Sequence, residues 1–347
     1  MLQSLTTRDT KRLGASSLSV LTPPPATATC RKALPFFTAI ALALAALALC
    51  SASLYAGPLS LPNASFESPI APRISPYAGP DMDYWQKSPQ PTWYDPSTNY
   101  NTPWDYLMGT FYNVPFPGLL IDNCDGSQAA FLFAVPEVAI FQDYDSISGT
   151  NTTPSHAFDA HFNTNCAYTL TVGVIGGVSG APPLFEGATL RLSLYYRDAA
   201  SNMVMVAATT VTNSAQLFPS NTHFVDFSVY VPGVRASDAW AGQNIGVQIA
   251  STVPFDKAGG YWDLDNVRLI ETPLPTLTEP RMANSQFGFT LQSQPGLSFE
   301  ILAATNLSLP LSNWTSLGTL TNETGVTAFF DPDANFSQRF YRAQRLP

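Results

Sequence analysis

The stretch GGYWDLDNVRLIETPLPTLTEP, Gly259 to Pro280, decides the fold. It alternates like a β-strand, with Asp263 and Asp265 on one face, and then stops in a proline-rich run. Upstream lie further segments of the same kind. QAAFLF begins at Gln128, CAYTLTVGVIGG spans Cys166 to Gly177, and NMVMVAATTVT, HFVDFSVYVP and NIGVQIAST follow. In ATLRLSLYYRD, Leu190, Leu192, Leu194 and Tyr196 alternate with Thr189, Arg191, Ser193 and Tyr195, the period of a half-buried strand. At least eight strands with short turns, and no convincing amphipathic helix, predict an all-β jelly-roll sandwich over residues 57–271.

Thr272 to Pro280, TPLPTLTEP, reads as a stiff linker, because proline neither continues a ladder nor bends freely. Beyond it QFGFTLQS, LSFEILAAT, NWTSLGTL, VTAFFD and QRFYRAQ predict a second, smaller β-sandwich over 282–347.

Composition agrees. The chain has 347 residues, of which 12% are charged and 45% hydrophobic, which suits extracellular β structure and excludes disorder. Near the N-terminus Arg31 and Lys32 precede an apolar run from Phe36 to about Leu49 and then small residues. That is the order of a secretory signal, so residues 1–56 are expected to direct export, by cleavage or as a retained membrane anchor. Without them the chain keeps 11 basic and 24 acidic residues, a net charge of −13. Nucleic acid is therefore a poor partner, and membrane contact is expected only if the anchor is kept. Two cysteines remain, Cys124 and Cys166, and an exported chain with two suggests one disulfide.

LPNASFESP, DGSQAAFLF, AYTLTVGV and YWDLDNVRL occur here in that order. In this they resemble the galactose-binding-like, carbohydrate-binding-module-like sandwiches of exported bacterial proteins, a layout shared with the calcium-dependent Stig cyclases. The C-terminal stretch is similar to a fibronectin- or immunoglobulin-like module. The resemblance implies a calcium ion pinning first and last strands, with Glu67 and Asp265 as its acidic ligands and main-chain carbonyls completing the sphere.

For a ligand, the aromatic segment before Gln128 is the strongest candidate. Trp85, Trp93, Tyr94, Trp104 and Tyr106 can stack on sugar rings while Asp95 bonds hydroxyls; the alternative is a mini-core of interleaved aromatics and prolines. His156, Asp159 and His161 fit no metal-binding spacing, and no catalytic motif is legible. The leading expectation is thus a secreted or cell-envelope, calcium-stabilised, non-catalytic module that binds carbohydrate or another neutral extracellular ligand. The alternatives are a cyclase-like or glycan-active enzyme on the same sandwich, or a structural adhesion protein. An enzyme would need a pocket holding an acid of raised pKa beside an aromatic wall.

Overall fold

A computed structural model describes residues 56–346, apart from 100, 150, 178–183, 284–285, 334–335 and 337. The predicted export segment lies outside the described residues except for Ala56.

Among the described residues, twelve strands build the first sandwich. They are β1 (Gly57–Leu59), β2 (Ala78–Gly79), β3 (Gln86–Lys87), β4 (Met108–Tyr112), β5 (Gln128–Phe133) and β6 (Ala139–Gln142). Then come β7 (Cys166–Ile175), β8 (Thr189–Arg197), β9 (Met203–Thr212), β10 (Val225–Val231), β11 (Gly246–Ser251) and β12 (Tyr261–Pro273). One sheet runs β10-β7-β12-β5-β4-β2, with β1 also paired to β12; the other runs β3-β6-β11-β8-β9. The all-β expectation holds.

The alternation read from the sequence sets which side chains meet between the sheets. Trp262 and Leu264 of β12 and Leu190, Leu192 and Leu194 of β8 are fully buried there. Each such side chain contributes about 1.5–3 kcal/mol on leaving water. A bulge between Asp265 and Arg268, where Asn266 adopts φ 54, returns Val267 and Leu269 to the core. A second bulge at Leu194/Tyr195 changes the expected pattern. Tyr195, not Tyr196, is buried, its ring against Gly246 and its hydroxyl donating to Asp143 at 2.6 Å.

The expected disulfide does not form: Cys124 and Cys166 are both free. Cys166 pairs with Pro273 at one end of β12, whereas Cys124 lies beside Asp265 towards the other. The expected linker is also largely strand. β13 (Thr276–Ala283) follows β12 after Leu274 and Pro275 alone and pairs with β14 (Gln286–Gln292). With β15 (Leu297–Ala304), β16 (Thr315–Asn322), β17 (Val326–Phe330) and β18 (Phe340–Arg345) these form sheets β13-β14-β17 and β16-β15-β18. Phe289, Leu291, Phe299 and Ile301 are its buried centre, so the second sandwich is real but begins at Thr276.

One glycine on the outer face of the first sheet allows a close crossing. A Cβ on Gly109 of β4 would land on the carbonyl oxygen of Gly79, and Pro80 is also within its reach. Backbone cannot yield there as a side chain could. Gly109→Ala is therefore expected to lower the melting temperature by an amount equivalent to roughly 1–3 kcal/mol. Gly57→Ala, which meets nothing, should leave it unchanged, and thermal denaturation of both variants checks this.

Candidate active site

The outer face of the first sheet is apolar where it should meet water. Asp263 of β12 stands between Phe131 of β5 and Ile175 of β7, and Tyr261 stands opposite Phe133. Phe131 and Phe133 meet edge to face at 6.0 Å, and Phe133 meets Tyr261 at 5.8 Å. This row is the floor of a cavity of about 470 Å³. Tyr77, Tyr106, Tyr112 and Leu119 supply its walls, with Asn221 on the β10 side. Arg73 lies over the Tyr112 ring at 3.8 Å, holding that wall from outside the cavity.

Among the described residues Asp263 is the one carboxyl in the lining. Its Oδ1 is sealed from solvent without a hydrogen-bond partner, although the residue as a whole keeps some exposure. Burial alone pushes its pKa up to about 8, since no cation offsets the loss of hydration. The nearby Tyr261 phenol is raised as well, by burial first and then by Asp263. At neutral pH the carboxyl is mainly protonated, a proton donor at the bottom of an aromatic box.

Two residues along the same face, Asp265 has a different environment. Its Oδ2 accepts from the Asp125 amide at 2.7 Å, while its Oδ1 is buried and unpartnered. Burial raises its pKa to about 7, against the pull of the Asn266 and Asp125 amides and the Cys124 thiol. Glu67 receives the amides of Ser127 and Gln128 at 2.8 and 2.7 Å and the Ser127 hydroxyl at 3.0 Å. Its Oε1 crowds the space above Gly126, whose φ of 97 a side chain would resist. The open oxygen of Asp265 thus fits a cation, whereas Glu67 is engaged in fixing the loop. Among the described residues no three His, Cys, Asp or Glu side chains converge as a metal site, so main-chain carbonyls and water would have to complete a calcium sphere.

The predicted sugar-binding residues fall elsewhere. Trp85, Tyr94 and Trp104 are buried. Trp85 donates to the Asn63 carbonyl at 3.0 Å and Trp104 to that of Ser88 at 2.7 Å, so these indoles belong to the mini-core and offer no face to a ligand. Trp93 packs on Trp104 and Phe255 and donates to Glu137. Asp95 caps a short 3₁₀ turn through Ser97. Of that group only Tyr106 reaches the cavity.

Residues 57–270 match the HpiC1-like family, described as HpiC1 cyclase. The chain belongs to the HpiC1-like family. Its members are cyclases, and this overturns the expectation of a non-catalytic carbohydrate-binding module: the first sandwich is that of an enzyme family. Solved structures also give matches. The Stig cyclase FisC from Fischerella sp. TAU, bound to (3Z)-3-(1-methyl-2-pyrrolidinylidene)-3H-indole, is 20% identical with a TM-score of 0.44, over 63% of this chain and 100% of that one. A cyclase from Fischerella sp. TAU, bound to 4-(1H-indol-3-yl)butan-2-one, gives the same identity, TM-score and coverage. The C-terminal family 22 carbohydrate-binding module of Clostridium thermocellum Xyn10B is 11% identical with a TM-score of 0.28, over 57% of this chain and 91% of that one. No curated protein matches.

Sequence reasoning put Asp263 on the correct face and missed its company. The overlooked signal was QAAFLF, apolar on both faces: Leu132 is core, so Phe131 and Phe133 had to be covered from the other side. For an HpiC1-like sandwich with two buried acids, stability should depend on pH in a definite direction. Folded Asp263 titrates near 8 and Asp265 near 7, against about 3.9 for an unfolded aspartate. Between those limits the folded chain holds more protons, so stability is fullest near pH 4 and falls as pH rises towards 8. Asp263→Asn should flatten that decline in melting temperatures taken from pH 5 to 9.

Proposed function

We propose that the chain is a cyclase that closes rings in an apolar, unsaturated substrate by proton transfer from Asp263. The observation carrying this reading is the sealed, unpartnered Oδ1 of the Asp263 carboxyl in an aromatic cavity. The neutral carboxyl gives its proton to a carbon–carbon double bond. Positive charge then develops beside the faces of Phe131, Phe133 and Tyr261, which stabilise a cation without reacting with it. A second double bond attacks the cation and closes the ring. The Asp263 carboxylate takes a proton back from the product cation, so atoms and electrons balance without an oxidant or cofactor. The apolar walls keep out water, which would otherwise capture the cation as an alcohol.

Asp263→Asn keeps the shape and removes the proton. In incubations with polyunsaturated prenylated aromatics, followed by mass spectrometry for cyclic isomers of unchanged mass, it should reduce turnover by about 10²–10⁴-fold. The wild-type rate should fall as pH rises past about 8. Undiminished cyclisation by Asp263→Asn would sink the mechanism.

We also propose that calcium binds against the free oxygen of Asp265, with Glu67 holding the surrounding loop rather than ligating. There it would cancel buried negative charge and join the Asp125 loop to the bulge of β12. Calcium should raise the melting temperature and a chelator lower it, and Asp265→Asn should abolish the difference. Export is inferred from the basic-then-apolar order of residues 31–56.

A further inference from the structure

Large apolar side chains crowd the outside of the cavity wall. Ile70 and Ile74 are 75% and 76% exposed, and Phe116, Leu119 and Leu120 are 50%, 57% and 45% exposed. Two adjoining segments carry them. The Ile74 carbonyl accepts from the Tyr77 amide at 2.7 Å, the Tyr77 ring meets Phe116 edge to face at 6.4 Å, and the Tyr77 carbonyl accepts from the Tyr112 amide at 2.8 Å. Ile70 precedes Ala71, whose amide donates at 2.6 Å to the side chain of Gln128, the residue opposite Tyr112. Leu119 also lines the cavity, so the patch and the cavity are two sides of one wall.

The loop at residues 114–120 is built to leave water. Pro115 and Pro117 carry no N–H. The Phe116 amide donates to the Val114 carbonyl at 2.8 Å, and the Leu119 and Leu120 amides donate to the Phe116 carbonyl at 3.0 and 3.1 Å. Buried Asn113 clamps the base, accepting from the Ile121 amide at 2.9 Å and donating to its carbonyl at 3.0 Å. A backbone whose donors are absent or already bonded forfeits little hydration in an apolar phase. Charge follows the same plan. Residues 69–80 and 113–121 contain no Asp or Glu, although Glu67, Asp81 and Asp122 border them. Their one cation, Arg73, is engaged by the Tyr112 ring and the Ser127 hydroxyl. A partner protein presents hydrogen-bonding groups that such a surface would leave unpaired, whereas lipid hydrocarbon presents none.

We propose that this patch docks the protein on a lipid bilayer, with Ile74, Phe116 and Leu120 inserted below the headgroups by apolar burial rather than by charge. The contact needs no retained N-terminal anchor. It sets one wall of the cavity in the medium where an apolar substrate collects. That purpose rests on the apolar-substrate reading above; the docking itself does not.

The test is hydrogen exchange, read by mass spectrometry, on the full-length chain with and without phosphatidylcholine vesicles. Because the readout is local, it separates this patch from the apolar run at residues 36–49. Vesicles should slow exchange across residues 69–77 and 114–120 by roughly threefold or more and leave β9 and β12 unchanged. Ile74, Phe116 and Leu120 are outside the cavity lining. Ile74→Ser, Phe116→Ser and Leu120→Ser combined should raise the lipid concentration for half of that slowing by roughly a hundredfold. Unaltered exchange in β12 would show that this variant is folded. Met205→Ser, at an equally exposed apolar site on β9, should change nothing. Loops that do not slow at high lipid would overturn the docking. So would slowing that appears only with anionic phosphatidylglycerol, which would assign the surface to charge. Slowing without lipid as protein concentration rises would assign it to a second copy of the chain and overturn the proposal too. Each of these outcomes leaves proton transfer by Asp263 standing, since that is read from its own variant.

Discussion

Strict alternation along β12 is the constraint on which the rest of the structure depends. The strand pairs with β1, β5 and β7, so its register places all three in the first sheet. Because the period is two, one setting sends Trp262 and Leu264 into the core and Tyr261, Asp263 and Asp265 to the opposite face. A slip by one residue would bury two carboxylates between the sheets and expose a tryptophan. The bulge after Asp265 then absorbs one residue and restores Val267 and Leu269 to the core. Fold and site are therefore specified by the same eight or so residues, and neither can drift without the other.

The outer face of this sheet explains why a cavity exists at all. Antiparallel sheets usually leave one face to water and carry polar residues there. Here Phe131, Phe133 and Ile175 occupy that face, and the segment carrying Tyr77 and the β4 end carrying Tyr112 fold over it. That cover is held by local links: the Tyr112 amide to the Tyr77 carbonyl, and Arg73 from the Tyr112 ring to the Ser127 hydroxyl. Ser127 in turn binds Glu67. The wall of the cavity and the acidic loop are thus one connected structure, so ordering the loop also orders the wall.

Legibility in the sequence followed the range of the interactions involved. Strands and core were readable, since alternation is local: Leu190, Leu192 and Leu194 lie where their spacing put them. The aromatic segment was not, because composition cannot separate an indole that stacks on a ligand from one that donates to a main-chain carbonyl, as Trp85 and Trp104 do. The cysteines misled for a related reason. Two thiols in an exported chain are a prior, and the separation of Cys124 and Cys166 along β12 overrides it. The linker failed because proline at positions free of ladder bonds is compatible with strand, and β13 uses it so.

The two aspartates show most clearly why chemistry required the fold. On the strand they are equivalent: same residue type, same face, two positions apart. Their difference comes from segments distant in sequence. The 122–128 loop turns an amide and a thiol towards Asp265, and both favour its carboxylate form. Phe131 and Ile175 stand beside Asp263 and offer it nothing. Hydration is withdrawn from both, and a replacement is supplied to one. In the proposed mechanism the acid left without a replacement is the one that transfers the proton, because no fixed partner holds either of its protonation states. Giving Asp263 a fixed donor would stabilise its carboxylate and lower its pKa, and with it the capacity to protonate a carbon. A site of this kind must therefore keep its acid poorly solvated, and stability elsewhere in the sandwich has to offset that cost.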